Sequence, residues 1–154
     1  ASAEERRRLK ALGLSEGDKM HIALRAGQPI AAIVPSISNA GYGGAIKLLV
    51  GIDFTGHIIA VRVISHRETA GLGDKIELAK SDWIEAFSMR SLSNPDHKYW
   101  AVEADGGIYD QFTGATITPR AVVNQVATTL QFFADERAAL AAQSTLQANP
   151  EARQ

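Results

Sequence analysis

A strand–turn–strand pattern in the middle of the chain is its clearest signal. Residues 45–53 (AIKLLVGID) and 58–65 (IIAVRVIS) are dominated by aliphatic side chains, and the four residues between them, Phe54-Thr55-Gly56-His57, have the composition of a turn. In the second run Ile59, Val61 and Val63 alternate with residues 60, 62 and 64, and Arg62 marks the face that meets water or the end of the sheet. Two apolar runs joined in this way predict an antiparallel hairpin with one face more apolar than the other.

Shorter apolar runs predict three further strands, at residues 20–25, 31–34 and 99–102. The first two are joined by Gly27-Gln28-Pro29, which has turn chemistry. Pro35 is expected to end the second strand, which leaves residues 36–44 as an irregular loop rich in glycine. Asp105-Gly106-Gly107 predicts a turn after the third strand.

Helical spacing predicts three helices, at residues 4–12, 82–89 and 119–143. Gly13 ends the first of them, and Ser81 is the predicted N-cap of the second, whose buried stripe comprises Trp83, Ile84 and Phe87. The third helix shows the longest apolar repeat, formed by Val122, Val126, Leu130 and Phe133. Thr118 is its predicted N-cap and Pro119 its predicted first residue, where a missing N–H costs no hydrogen bond.

These elements predict an α+β fold, in which an antiparallel sheet packs with helices in a single domain. No repeated strand–helix–strand unit is evident, which argues against a parallel sheet. The hairpin of residues 45–65 is expected to be central, with the helix of residues 119–140 packed against it. Residues 1–19 are predicted to be a helical lead-in, residues 20–143 the domain and residues 144–154 a polar tail. A chain of 154 residues suits one such domain with a sizeable core.

The composition removes several classes of function. The balance of 17 acidic and 16 basic residues gives no reason to expect a nucleic-acid partner. The chain has no cysteine, and its four histidines are scattered, so neither a disulfide nor a metal site is predicted. The chain opens with ASAEERRR rather than with methionine, and we expect a preceding segment in the complete protein. No apolar run approaches the roughly 20 residues that a membrane-spanning helix needs.

A hydroxyl-rich loop before the last helix is the best candidate for chemistry. It has the sequence DQFTGATITP, residues 110–119. Gly114 and Ala115 keep side-chain bulk low there, and the start of a helix favours a phosphate. Its threonines supply three hydroxyls, from Thr113, Thr116 and Thr118. Taken alone, the same residues are more typical of an ordinary capped loop.

A second candidate loop follows the hairpin directly. Residues 66–75 (HRETAGLGDK) contain two close glycines and a Glu68-Thr69 pair, as many binding loops on rigid scaffolds do. The third glycine of a dinucleotide fingerprint is missing, so chemistry alone indicates only a turn.

The first of these loops resembles the flavinylation sequence of covalently flavinylated FMN-binding domains. That pattern reads Asp, two variable residues, Thr or Ser, Gly, Ala and Thr, and residues 110–116 match it. In that family a flavin transferase attaches FMN, through its phosphate, to the last threonine, which here is Thr116. The second loop resembles the Glu-Thr-Pro-Gly-Leu-Gly run that lines the flavin site, with Ala70 where proline is usual. With residues 41–46 (GYGGAI), the chain resembles the RnfG family, the G-type subunits of Rnf-type electron transport complexes.

The resemblance implies a flavoprotein subunit that passes electrons between partner subunits of a membrane complex, coupled to ion translocation. Its cofactor would be covalent FMN, with no independent catalytic triad. The implied cofactor-binding residues are Thr116 for the phosphoester, with Thr113, Gly114, Ala115, Glu68, Thr69, Leu72 and Asp110 around it. Leu72 is expected to contact the ring, and Glu68 and Thr69 to hydrogen-bond with its polar atoms. Asp110 is expected either to be read by the transferase or to cap the loop.

The family also implies a location. Its members carry an N-terminal anchor in the inner membrane, and the domain faces the periplasm in Gram-negative bacteria. Three alternatives stay open at this point. The first is a member of the NqrC family of the sodium-pumping NADH:quinone reductase, which the chain resembles less closely. The second is a sensor domain that holds FMN without passing electrons. The third is a structural domain in which Thr116 is never modified.

Overall fold

The computed structural model describes residues 3–15 and 18–148. Four antiparallel strands form one sheet in the order β1-β2-β3-β4: β1 (His21–Arg25), β2 (Gln28–Gly41), β3 (Gly44–Asp53) and β4 (Ile58–Ser65). Two α-helices accompany them, α1 (Ala3–Ala11) and α2 (Ile117–Ala148). Four short 3₁₀ helices lie between β4 and α2, at Gly73–Ile76, Trp83–Phe87, His97–Tyr99 and Glu103–Asp105. The predicted α+β fold with an antiparallel sheet is confirmed.

One face of the sheet forms the core together with α2. Along β3 the even-numbered side chains are fully buried, because successive residues of a strand point to opposite faces: Ile46, Leu48, Val50 and Ile52. α2 crosses mainly over β2, where Gln125 Nε2 donates to Ser36 Oγ at 2.7 Å and Thr129 Oγ1 lies 2.9 Å from the same oxygen. The helix therefore packs mainly on β2, and it also reaches the hairpin turn, where the ring centroids of Phe133 and Phe54 lie 5.3 Å apart. Of the two hairpin strands, only β3 is central, and β4 is an edge strand.

The prediction that Pro35 ends its strand is wrong. β2 continues to Gly41, and Pro35 pairs with Leu49 of β3. On its other edge, β2 pairs with β1 only as far as Ile33. Pro35 therefore has a strand partner on the β3 side but none on the β1 side. The N–H of Ile37, two residues on and on the same side, donates to Leu12 O at 2.7 Å. A proline is accepted there because its missing N–H removes no bond between strands.

Between β4 and α2, aromatic packing replaces regular structure. The predicted helix at residues 82–89 is a 3₁₀ helix at Trp83–Phe87, and Ser81 Oγ accepts the N–H of Trp83 at 3.2 Å. Five rings contact one another in series, with centroids 4.7–6.2 Å apart: Phe112, Trp83, Phe87, Tyr109 and Trp100. Indole N–H groups also anchor the chain, since Trp83 Nε1 donates to Asp110 O at 2.8 Å and Trp100 Nε1 to Ser91 O at 3.0 Å.

The strand predicted at residues 99–102 does not form. Val102 makes a single bridge with Tyr109, and the chain turns immediately after it through Glu103–Asp105. Gly107 passes so close to Ala101 that a Cβ would overlap the backbone there. The segment therefore reverses on itself before it can pair along a neighbouring strand.

Tyr109 carries a hydroxyl without a hydrogen-bond partner among the described residues, although its side chain is fully buried. Burial raises the pKa of this hydroxyl, because the phenolate would lie in an apolar environment. A buried polar group without a partner costs about 1–3 kcal/mol. We expect Tyr109→Phe to leave the free energy of unfolding unchanged or to raise it by about 1 kcal/mol. Urea denaturation measures this, and a loss above about 1 kcal/mol would show that the hydroxyl has a partner, such as a buried water.

α2 is longer than its sequence pattern predicts. It continues beyond residue 143 to Ala148, so the first part of the predicted tail is helical, while residues 149–154 lie outside the described part of the chain. Among the described residues, no helix combines the length and the apolar character needed to cross a membrane.

Candidate functional site

The two loops singled out in the sequence meet beside the start of α2. A Cβ built on Gly114 would lie 3.7 Å from Leu72 Cδ2, which is ordinary van der Waals contact between the loops. The backbone of Gly73 lies closer still to the helix: a Cβ added to this glycine would be only 2.7 Å from Thr118 Oγ1. Convergence of these two segments, about 40 residues apart in sequence, creates the candidate site.

A tight turn shapes the threonine loop. Ala115 N–H donates to Phe112 O at 3.1 Å, and Gly114 has a φ of 76°, which favours glycine over residues with a Cβ. Phe112 is buried beside Trp83, with ring centroids 5.2 Å apart, and this contact fixes one end of the turn. Thr113 at its tip is exposed.

α2 begins earlier than predicted, and this changes the roles of two threonines. Ile117 is the first helical residue, and Thr116 directly precedes it, with its carbonyl accepting the N–H of Arg120 at 3.2 Å. The prediction that Thr118 is the N-cap is wrong, since Thr118 lies inside the helix and is 1% exposed. Pro119 is the third helical residue and is still tolerated, because the first four N–H groups of a helix have no intrahelical acceptor.

A buried carboxylate, that of Glu68, accepts three hydrogen bonds next to the cavity-lining residues. Glu68 is 8% exposed, and its Oε1 accepts the hydroxyl of Thr118 at 2.7 Å and the N–H of Tyr42 at 2.9 Å. Its Oε2 accepts the N–H of Gly43 at 2.7 Å. Glu68 therefore joins the β2–β3 turn to the first turn of α2. Hydrogen bonds to a charged acceptor are roughly twice as strong as those between neutral groups.

The loop after Glu68 has its own supports. Leu72 N–H and Gly73 N–H both donate to Thr69 O, at 3.1 and 3.0 Å. Asp74 accepts the N–H of Gly71 at 2.9 Å and the ammonium of Lys80 at 2.7 Å. The Lys80 ammonium, followed by the Gly71 N–H, holds the pKa of Asp74 below its usual range.

The cavity between the two loops measures about 320 Å³. Nine residues line it: Tyr42, Thr69, Leu72, Gly73, Gly114, Ala115, Thr116, Ile117 and Thr118. Its walls are mostly apolar with a few hydroxyls, and its volume lies within the roughly 300–1,000 Å³ of typical ligand sites. Leu72 and Ile117 remain 41% and 47% exposed there, so they offer apolar surface to a ligand. This chemistry suits a planar ring system that carries a phosphate.

A second cavity also borders the threonine loop. It measures about 430 Å³ and is lined by Glu103, Asp110, Gln111, Phe112, Thr113, Gly114 and Thr116. Thr116 thus borders both cavities. The second one contains two carboxylates, from Glu103 and Asp110, which repel a phosphate. It therefore suits an anionic ligand less well than the first cavity.

A larger depression of about 730 Å³ lies away from both loops. Its lining includes Arg7 of α1, His97, and Asp135 and Glu136 of α2. None of the residues from the two candidate loops borders it. Among the described residues there is also no cluster of side chains suited to hold a metal ion.

The structure brings most of the predicted residues to one cavity. Five of them line it: Thr69, Leu72, Gly114, Ala115 and Thr116. Thr113 and Asp110 lie in the second cavity instead. Glu68 does not line the first cavity. Its carboxylate accepts hydrogen bonds from Tyr42, Gly43 and Thr118 of the chain itself, whereas it was expected to hydrogen-bond with the flavin.

Three further residues line the cavity, Tyr42, Gly73 and Ile117. They lie within the segments quoted for the resemblance but were not among the predicted cofactor-binding residues. For Tyr42 a signal was present, since an aromatic residue between glycines in GYGG departs from an ordinary strand.

Comparison with known families identifies the class of protein. The model of the FMN-binding domain family matches residues 41–131, which include both loops and the start of α2. The chain belongs to this family.

Three similar bacterial proteins share one name. The chain is 52% identical over 123 residues to a Photorhabdus laumondii protein, covering 80% of the chain and 59% of the relative. It is 47% identical over 134 residues to a Shewanella oneidensis protein, covering 87% and 63%, and 54% identical over 114 residues to one from Escherichia coli K12, covering 73% and 55%. All three are named as the G-type subunit of an ion-translocating oxidoreductase complex. The chain thus spans about 55–63% of the length of these relatives.

A solved structure has the same fold. The crystal structure of Shewanella oneidensis NqrC matches with a TM-score of 0.60 at 22% identity, covering 78% of this chain and 60% of that one. At this level of identity the similarity concerns the fold.

Proposed function

We propose that this chain is the FMN-carrying domain of the G-type subunit (RnfG) of an Rnf-type, ion-translocating electron transport complex, with FMN attached through its phosphate to Thr116. The observation that carries the proposal is the position of Thr116. This last threonine of the flavinylation pattern directly precedes α2 and borders the apolar cavity. Membership in the FMN-binding domain family and the names of the relatives support the cofactor and the complex.

The residues around Thr116 fit such a group. The first N–H groups of α2, from Ile117 and Thr118, suit the phosphate, because a helix start carries unpaired donors and a partial positive charge. Leu72 and Ile117 supply apolar surface for the ring. In attachment, the Thr116 hydroxyl would lose its proton and its oxygen would bond to the FMN phosphorus of a flavin dinucleotide donor. The phosphoanhydride bond of that donor would break, and its second nucleotide would leave as a nucleoside monophosphate.

Bound FMN supplies one- and two-electron redox chemistry, and the protein contributes position and environment. A phosphoester prevents the loss of the cofactor by dissociation. Thr116 is thus an attachment point. We propose that other subunits of the complex deliver and receive the electrons, that a flavin transferase acts once during maturation, and that a membrane anchor outside this chain holds the domain at the periplasmic face of the inner membrane.

The test is to produce this chain with and without a flavin transferase and to examine it after denaturation and gel filtration. We expect flavin absorbance to survive denaturation only with the transferase, and the intact mass to increase by one FMN minus one water. Colour lost on denaturation would instead indicate a non-covalent FMN-binding or sensor domain. Protein that is colourless and of unmodified mass under both conditions would refute the proposal.

A further inference from the structure

Tyr42 combines a firmly held backbone with a freely exposed ring. It lies in the turn between β2 and β3, where its side chain is 73% exposed and borders the apolar cavity. Its N–H donates to the buried carboxylate of Glu68 at 2.9 Å. The turn is thus tied to the interior, while the aromatic ring stays at the mouth of the cavity.

The glycines on both sides leave this turn little freedom to move inward. A Cβ on Gly43 would overlap Arg67 O and lie 2.8 Å from Glu68 Oε2. A Cβ on Gly41 would lie 2.8 Å from Ile46 Cδ1. The backbone of the turn is packed against its neighbours at both positions, so the surrounding structure sets the position of the backbone from which the Tyr42 ring projects.

The ring is suited to a flat aromatic ligand. Leu72 and Ile117 line the same cavity with apolar side chains and are partly exposed. Aromatic rings pack favourably in offset stacked or edge-to-face arrangements, worth about 0.5–1.5 kcal/mol beyond the buried area. The exposed ring of Tyr42 and these apolar side chains could therefore contact a planar ring bound in the cavity.

We propose that Tyr42 is an aromatic wall of the flavin site, in contact with the isoalloxazine ring, and that Glu68 is the positioning residue that holds Tyr42 there. This inference rests on the proposed function. It assigns to Glu68 a role through the chain's own backbone, by its bonds to Tyr42 and Gly43, rather than a bond to the flavin.

Contact between a phenol and a flavin has a spectroscopic signature. On excitation, an electron passes from the phenol to the excited ring and then returns, so flavin fluorescence is quenched without net oxidation. This transfer requires near contact. Phenylalanine has a similar shape but is a much poorer electron donor, so it keeps the packing and removes the quenching.

The experiment compares Tyr42→Phe and Tyr42→Leu with the parent chain, all produced with a flavin transferase and shown by intact mass to carry one FMN. Tyr99→Phe is the matched control, because Tyr99 is also a largely exposed tyrosine but does not border the cavity. We expect both Tyr42 variants to show severalfold higher fluorescence per bound FMN and a longer lifetime. Tyr99→Phe is expected to match the parent. Since Tyr42 is a surface side chain, its variants are expected to fold.

Glu68→Gln tests the positioning role. Whichever way the amide is oriented, its NH₂ group faces at least one of the N–H donors of Tyr42 and Gly43, so one bond is lost. We expect a second, longer fluorescence lifetime, from molecules in which Tyr42 has moved away, with the circular dichroism spectrum of the parent. A single, parent-like lifetime would overturn the role of Glu68.

The outcomes separate this inference from the proposed function. If the mass shows one FMN but Tyr42→Phe fluoresces like the parent, the contact with Tyr42 is refuted and the proposed function stands. If the parent chain takes up no covalent FMN, the proposed function fails and this inference fails with it.

Discussion

Thr116→Ala is expected to abolish covalent flavin completely when the chain is produced with a flavin transferase. The substitution removes the only oxygen that the proposed phosphoester uses. Thr116 directly precedes α2, and replacing threonine by alanine at such a position costs about 1 kcal/mol, so the domain is expected to remain folded. Intact mass after denaturation measures the effect, and thermal unfolding checks the fold.

The matched control for this variant is Thr113→Ala. It makes the same chemical change in the same loop, at an exposed residue of the second cavity. Because the flavinylation pattern has Thr or Ser at this position, we expect Thr113→Ala to carry covalent FMN in a smaller fraction of the molecules, whereas Thr116→Ala carries none. A Thr116→Ala protein that still carries one FMN would show that another hydroxyl is the attachment point.

Thr118 is the least suitable of the three threonines in this loop. It is 1% exposed, and its hydroxyl hydrogen is donated to Glu68 at 2.7 Å. Modification at Thr118 would break this bond and place a phosphate beside a buried carboxylate, which electrostatic repulsion opposes. Burial and hydrogen bonding thus argue against Thr118 as the attachment point, independently of the sequence pattern.

Glu68→Ala is expected to lower the free energy of unfolding by about 3 kcal/mol, because the buried Thr118 hydroxyl loses its acceptor, at a cost of about 1–3 kcal/mol, and two hydrogen bonds from the more exposed β2–β3 turn are lost as well. The substitution leaves three donors without their acceptor, the N–H groups of Tyr42 and Gly43 and the hydroxyl of Thr118. Water entering the space reduces the total. Urea denaturation of the unmodified chain measures the loss without any contribution from flavin.

Glu77→Ala is the matched control for this loss. Glu77 Oε2 lies 3.1 Å from His66 Nε2 and 3.6 Å from Lys80 Nζ, and its side chain is 35% exposed. Ion pairs in contact with water contribute about 0–1 kcal/mol, so the expected loss is below about 1 kcal/mol. Equal losses for the two alanine variants would contradict the bridging role of Glu68.

The sequence by itself determined the features that depend on neighbouring residues. The 45–65 hairpin follows from two apolar runs and a turn between them, and the paired strands β3 and β4 match it closely. The pattern of residues 110–116 pointed to an FMN-binding family, to which the chain belongs. Such signals are local, because a strand, a turn or a modification sequence is specified within about ten residues of chain.

Only the tertiary structure decided the features that depend on distant partners. Pro35 is accepted within β2 because β1 has already ended beside it. Thr118 precedes a proline and was predicted to cap the helix, but its hydroxyl donates to Glu68, 50 residues away along the chain. Tyr42 lines the cavity, and its N–H donates to the same carboxylate. A threonine or a glutamate has the same local propensity whichever partner it meets, so these roles were fixed by which segments the fold brings into hydrogen-bond distance.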